Sequence, residues 1–302
     1  MNKQFKADMM LVLVTLCWGV SYILMDISLA DMGPFTLNSY RFLGAFLVIA
    51  LFSLKSIRKV SKATLKYSLL VGTALFFVYM GATFGVMYTS LSNAGFLCAL
   101  TVIFVPIFEL VIFRKVPEKK IILAVTISII GIMLLTLKDD FSFNMAHLKG
   151  DLFSTLCAFS YAADLLITDK ALKHEDVNAY HLGVFQLGVT GVLMTIFAFI
   201  FEKPVLPQSG KCAFAVIFLS LFCTGLAFIV QAIAQQYTTA SHVGIIFTLE
   251  PVFAGIVAFF FAGEILSVKS YIGAALMISA LFITEIDFSS FGKKKKGSSI
   301  TN

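Results

Sequence analysis

Few side chains in this sequence are placed to do chemistry, and the most telling is an acid in an apolar setting. Glu250, followed by Pro251, lies about ten residues into a hydrophobic run, roughly 15 Å deep at helical rise. A carboxylate there is costly unless it faces a partner or a water-filled space. Two roles fit. Either Glu250 binds a cationic group of a solute or carries a coupling proton, or it is a structural acid bonded to backbone freed by Pro251, which donates no helix hydrogen bond. Asp164 stands one turn beyond Ser160 in another apolar run and asks for a cation partner or a polar vestibule. Arg41 is about 10 Å from the end of its run, within reach of snorkelling, of a structural pair with Asp26 or Asp31, or of solute contact. Glu109 sits near the end of its run beside Arg114, where snorkelling accounts for it.

Neutral groups form a second tier. Trp18, the single tryptophan, lies mid-run and needs a partner for its N–H if buried. Tyr79, Tyr88 and Tyr161 are candidates for a cavity wall or for interhelical packing, and Asn93 and Phe96 join them through a repeated motif described below. Gln231 and Gln235, one turn apart, and His242 at the start of the next run suggest a polar mouth or hydrogen-bonded helix glue. Pro106 is a second kink candidate. No HExxH, G-x-S-x-G or GxxxxGK[ST] appears, and the five cysteines and four histidines form no ligand cluster. The expectation is therefore no enzyme, metal or cofactor, and no direct use of ATP.

These residues must be positioned by helices in lipid. The chain has 59% hydrophobic and 13% charged residues, a balance a soluble protein of 302 residues could not hide. Apolar runs of about twenty residues, enough to span roughly 30 Å of hydrocarbon, predict ten helices over 8–29, 34–54, 66–90, 92–113, 119–137, 150–169, 178–201, 212–235, 240–262 and 267–286. No cleavage site follows the first run, so it reads as a retained helix and not a signal peptide. With the N-terminus inside, seventeen Lys and Arg fall on inner segments, including the tail Lys293–Lys296, and five on outer loops. That bias places both termini in the cytoplasm. The net charge of +6 reflects these topology anchors near lipid headgroups and not nucleic-acid binding.

The sequence also repeats. Tyr88-Thr89-Ser90-Leu91-Ser92-Asn93-Ala94-Gly95 recurs as Tyr237-Thr238-Thr239-Ala240-Ser241-His242-Val243-Gly244, and Pro106 lines up with Pro251 after a shift of four residues. Ala7-Asp8 through Asp26 resembles Gly150-Asp151 through Asp169 at a constant offset. Each copy holds five predicted helices, an odd number, so the second enters the membrane inverted. Inverted repeats are a recurring architecture of secondary transporters, with the site near the midplane between the halves.

The motifs carry a family likeness. Trp18-Gly19-Val20-Ser21-Tyr22, Pro34 with Arg41-Phe42-Leu43, Tyr88-Thr89-Ser90, Asn93-Ala94-Gly95-Phe96, Pro106, Gly150-Asp151, Leu249-Glu250-Pro251-Val252-Phe253 and Gly263-Glu264 stand in an order that resembles EamA-type members of the drug/metabolite transporter superfamily. The resemblance spans about Ala7 to Ile286. It implies an all-α membrane protein with ten transmembrane helices, two inverted five-helix repeats (7–138 and 150–287) around a central cavity, and a basic cytoplasmic tail (288–302). It further implies a transporter in the cell membrane acting on a small organic metabolite, often exporting amino acids or related solutes. The partners expected are that solute, membrane lipid and a coupling proton or other ion. Tyr161 and Asp164 depart from the first copy, which has Trp18 and Ser21 at the corresponding places.

Overall fold

A computed structural model describes residues 3–89, 91–136, 148–262 and 267–285, all of them helix or short connection. The helices are α1 (Lys3–Leu29), α2 (Pro34–Phe52), the short α3 (Leu54–Ile57), α4 (Lys62–Tyr88), α5 (Leu91–Ala99), α6 (Thr101–Phe113), α7 (Lys119–Thr136), α8 (Leu148–Leu172), α9 (Ala179–Phe201) and α10 (Gly210–Ser220). A π-helical turn, Leu221–Leu226, joins α10 to α11 (Ala227–Gln235), and α12 (Ala240–Phe247), α13 (Glu250–Ala262) and α14 (Val268–Glu285) follow. Eight helical segments of the described residues are long and apolar enough to cross a membrane. The apolar helices α7 and α14, of 18 residues each, pack on each other beside them.

Helix ends are set locally. Ser61, Asn178, Ser209 and Thr239 cap α4, α9, α10 and α12, each accepting from the backbone N–H three residues on. The α2 N-terminus, with Pro34 in its first turn, is capped from a distance. The Glu202 carboxylate, just past α9, accepts from Phe35 N and Thr36 N at 2.8 Å each and from Thr36 Oγ1 at 2.7 Å. Such ties define two ends of the bundle. At one, called here the Lys3 end, Lys3 lies over the Tyr237 ring, Asp8 meets His242, Ser61 meets Asp176, and Lys120 reaches the Thr284 carbonyl. At the other, the Leu29 end, Glu202 holds α2, Ser209 bonds Asp31 and Lys149 lies over Tyr88.

The helices pair across the middle of the sequence. α2 packs on α9 and α7 on α14; α4 packs on α8 and α9, as the α10–α11 segment packs on α1 and α2; α5–α6 contacts α8, as α12–α13 contacts α1. Exchanging first-half for second-half helices leaves this pattern unchanged. Three buried apolar clusters result among the described residues: a large one through α1, α2, α4, α8 and α9–α12, a smaller one where α7 and α14 meet α6, α12 and α13, and a small one of Val71, Ala171 and Leu182 between α4, α8 and α9. Large apolar side chains cover the outside, with Phe52 85% and Phe261 81% exposed, a surface that only lipid solvates well.

The predicted helix bounds hold to within a few residues at most ends. The predicted fourth and ninth helices are each broken in two, at Leu100 and at Thr248–Leu249. Gly263-Glu264 and the Lys293–Lys296 tail lie outside the described residues.

Candidate functional site

A cavity of about 90 Å³ lies between α1, α4, α5, α8 and the α12–α13 break. Its charged lining residues are Glu250 and Arg41; Trp18, Tyr22, Tyr79 and Tyr161 supply its aromatic wall. It extends from mid-bundle toward the Leu29 end, where Val86 and Ala94 line it.

Glu250 is here because the chain stops being helical at Thr248–Leu249 and restarts with Glu250 as the first residue of α13. Pro251 is thus in the first turn, where a missing N–H costs nothing. It does not kink a continuous helix, as the sequence suggested; it opens a new one. The helix start also favours the carboxylate electrostatically. Tyr22 of α1 sets its hydroxyl against Glu250. α1 comes this close because residue 19 is glycine: a β-carbon there would lie 2.7 Å from Phe253 Cβ and 2.8 Å from Ala254 N.

Arg41 is only 1% exposed, so it neither snorkels nor pairs as expected. Asp26 is exposed, and Asp31 accepts from Ser209. Arg41 instead donates through Nε to Thr224 Oγ1, and through Nη2 to the Cys223 carbonyl at 3.1 Å and the Tyr79 hydroxyl at 3.3 Å. Met25 Sδ is 3.4 Å from Nη1, and the Tyr79 ring lies 4.7 Å from the guanidinium. All these acceptors are neutral, and no acid of the described residues lies within 4 Å of Arg41.

The π turn explains the Cys223 carbonyl. One extra residue in a helical turn leaves a carbonyl outside the regular ladder, and here it accepts from both Arg41 and Trp18 Nε1, the latter at 3.0 Å. Trp18 then forms the cavity floor with Phe247, Phe228 and Tyr161, at ring-centroid distances of 4.9, 5.4 and 6.0 Å.

The other sequence candidates are dispersed. Asp164 is 1% exposed in the seam between α8 and α11 and does not line the cavity. Gln231 and Gln235 face that seam: Tyr161 Oη is 3.5 Å from Gln231 Oε1, and Gln235 Nε2 donates to the Leu165 carbonyl at 2.7 Å. His242 is not with them. It meets Asp8 of α1 at 3.2 Å, so the expected common polar mouth is split in two. Glu109 is buried and does not snorkel; it accepts from Ser241 at 2.5 Å and pairs with Lys115 at 3.2 Å, while Arg114 turns away to close α6 with φ 53°. Tyr88 stacks on Phe84 and Phe153 under Lys149, away from the cavity. Phe96 packs in the smaller cluster. Pro106 is inside α6. Asn93 is on α5, and its side chain lies outside the described part. Tyr22, Met25 and the π turn were missed. Tyr22 closes the Trp18–Tyr22 motif and was legible there; nothing in Leu-Phe-Cys-Thr-Gly-Leu marks a π turn.

Broken helices, a charged cavity between them and a lipid-facing surface define a multi-pass membrane transport protein. Within that class, the model of the EamA-like transporter family matches residues 5–137 and again 148–286, and the chain belongs to this family. A protein of Archaeoglobus fulgidus described as an uncharacterized transporter is 27% identical over 284 residues, covering 94% of this chain and 87% of its own. Uncharacterized transporter YoaV of Bacillus subtilis is 24% identical over 284 residues, 91% of this chain and 95% of its own. A solved crystal structure with 17% identity superposes at a TM-score of 0.78 over 97% of this chain and 99% of its own, a likeness of fold.

Proposed function

We propose that the chain is a secondary transporter that moves an amino acid or related zwitterion across the cytoplasmic membrane by alternating access, in the export direction. The observation that carries this is the cavity itself. It holds an acid and a guanidinium that are not paired with each other within 4 Å, so one can meet an ammonium and the other a carboxylate. Its roughly 90 Å³ is room for about three waters, so it must widen to take a solute.

The reading takes the chain as ten crossings in two inverted repeats, 7–138 and 150–287, with α7 and α14 as the fifth of each. Three features support it: helix pairing that survives exchange of the halves, breaks at matched points in α5–α6 and α12–α13, and two matches of the family model. Rocking of one half against the other would part the aromatic floor and expose Glu250 to the Lys3 end. A proton carried by Glu250 is the coupling ion in this scheme.

Reconstitution tests it. Liposomes containing the wild type should accumulate labelled amino acid under a proton gradient. Glu250→Gln should abolish gradient-driven accumulation while the detergent melting temperature stays nearly unchanged. Unaltered accumulation by Glu250→Gln would remove Glu250 from the mechanism.

A further inference from the structure

The seam between α8 and α11 contains three oxygen acceptors that the protein does not satisfy. Asp164 Oδ1, Thr168 Oγ1 and Gln235 Oε1 are buried without a hydrogen-bond partner among the described residues, and their side chains' residues are 1%, 3% and 2% exposed. Asp164 and Thr168 are one turn apart on a single face of α8. Gln235 of α11 is tied to the same stretch of α8, because its Nε2 donates to the Leu165 carbonyl at 2.7 Å. Native proteins rarely leave buried polar groups unpaired, and three on one seam make a site that lacks its partner.

The repeat says what the seam corresponds to. The offset of 143 residues that carries Ala7 to Gly150 carries Ser21 to Asp164 and Met25 to Thr168. The offset of 149 that carries Tyr88 to Tyr237 carries Val86 to Gln235. Ser21, Met25 and Val86 all line the open cavity. Their counterparts are therefore the walls of the same space on the Lys3 side, closed in this structure. The open walls need no polar partner because two of the three are apolar; the closed ones carry an acid, a hydroxyl and an amide.

We infer that the α8–α11 seam is a second binding site, an inner vestibule built around Asp164, Thr168 and Gln235 that takes a cationic group, either an alkali ion or an ammonium. Carboxylate, amide and hydroxyl oxygens are the ligands a hard cation prefers, and an ammonium would donate to the same three. Tyr161 joins this vestibule to the central cavity, since it lines that cavity and its hydroxyl points to Gln231 of the seam. The identification as a vestibule rests on the inverted-repeat reading above; the cation chemistry rests on the acceptors alone.

Melting of the purified full-length protein tests this. Sodium chloride, potassium chloride and methylammonium chloride are each titrated at ionic strength held constant with N-methylglucamine chloride. At least one should raise the wild-type melting temperature by a few degrees with saturation; sodium or potassium identifies an alkali-ion site and methylammonium an ammonium site. Asp164→Asn should abolish the rise, and the isosteric Thr168→Val should shift its midpoint several-fold higher. Glu250→Gln should keep it. A wild-type melt that is the same in all four salts overturns the proposal, and this arm needs no variant to fold. A rise that survives Asp164→Asn also overturns it. A rise lost in Glu250→Gln but kept in Asp164→Asn assigns the cation to the central cavity, overturning the second site while leaving the transport reading intact.

Discussion

Arg41 shows how far a residue's role depends on partners that sequence distance hides. From the sequence it sits near two acids on its own side of the chain, and ion pairing is the natural expectation. In the fold its partners are Thr224 and Cys223, some 180 residues away, and they exist as acceptors only because the π turn frees a carbonyl and aims a hydroxyl at it. Thr224→Val keeps the shape but leaves the Nε donor buried and unpaired, so it should cost about 1–3 kcal/mol of stability, read as a lower melting temperature in detergent. If Arg41 greets a solute carboxylate, the loss of that group should be felt in binding. Competition against a labelled amino acid should therefore be at least about tenfold weaker for the decarboxylated amine than for the parent amino acid, the equivalent of one charge-assisted hydrogen bond. Equal competition by the two would leave Arg41 a structural cation.

At the scale of helices, the site depends on how near α1 and α13 can approach. Gly19 sits one turn before Tyr22, and Phe253 one turn after Glu250, so the contact at Gly19 sets the Tyr22–Glu250 separation. Gly19→Ala would normally favour a helix by up to about 1 kcal/mol. Here the added methyl meets backbone at 2.8 Å, and α1 must move away from α13. The expected outcome is a transport rate reduced at least tenfold, whereas Gly210→Ala, which meets nothing within 4 Å, should transport normally. Equal rates for the two would show that the close approach is dispensable. The helices themselves were legible because lipid demands long unbroken apolar runs, and their ends because charges and caps cluster there. The breaks were not. Leu100 and Leu249 are good helix formers, and the nearby prolines point to the wrong residue: Pro106 lies six positions past one break, while Pro251 sits where a helix accepts proline freely. Trp18, Tyr79, Tyr161, Arg41 and Glu250 were picked out by polarity or size in apolar runs, and the cavity gathers all five. Asp164 was picked out on the same grounds and lies in the seam, because which face of α8 looks inward is set by α11 and not by its own sequence.

For the whole molecule, the two ends of the bundle differ in charge, and that difference makes the topology testable on described residues. Among the described residues the Lys3 end gathers Lys3, Lys6, Lys55, Arg58, Lys59, Lys62, Arg114, Lys115, Lys119 and Lys120, whereas the Leu29 end has Lys149, Lys203, Lys211 and Lys269. A positive end stays inside during insertion. The native cysteines are buried or half-buried within helices, so a new exposed one can be read against them. Gln208, exposed in the α9–α10 loop, and Lys59, exposed between α3 and α4, are the positions to use. In intact cells Gln208→Cys should label with a membrane-impermeant maleimide and Lys59→Cys should label only after the membrane is opened. The reverse pattern would turn the molecule over, making the cavity beside Glu250 face the cytoplasm in this conformation and the α8–α11 seam the external vestibule. Labelling of both from outside would break the alternation of crossings between α3 and α10 and, with it, the inverted repeat.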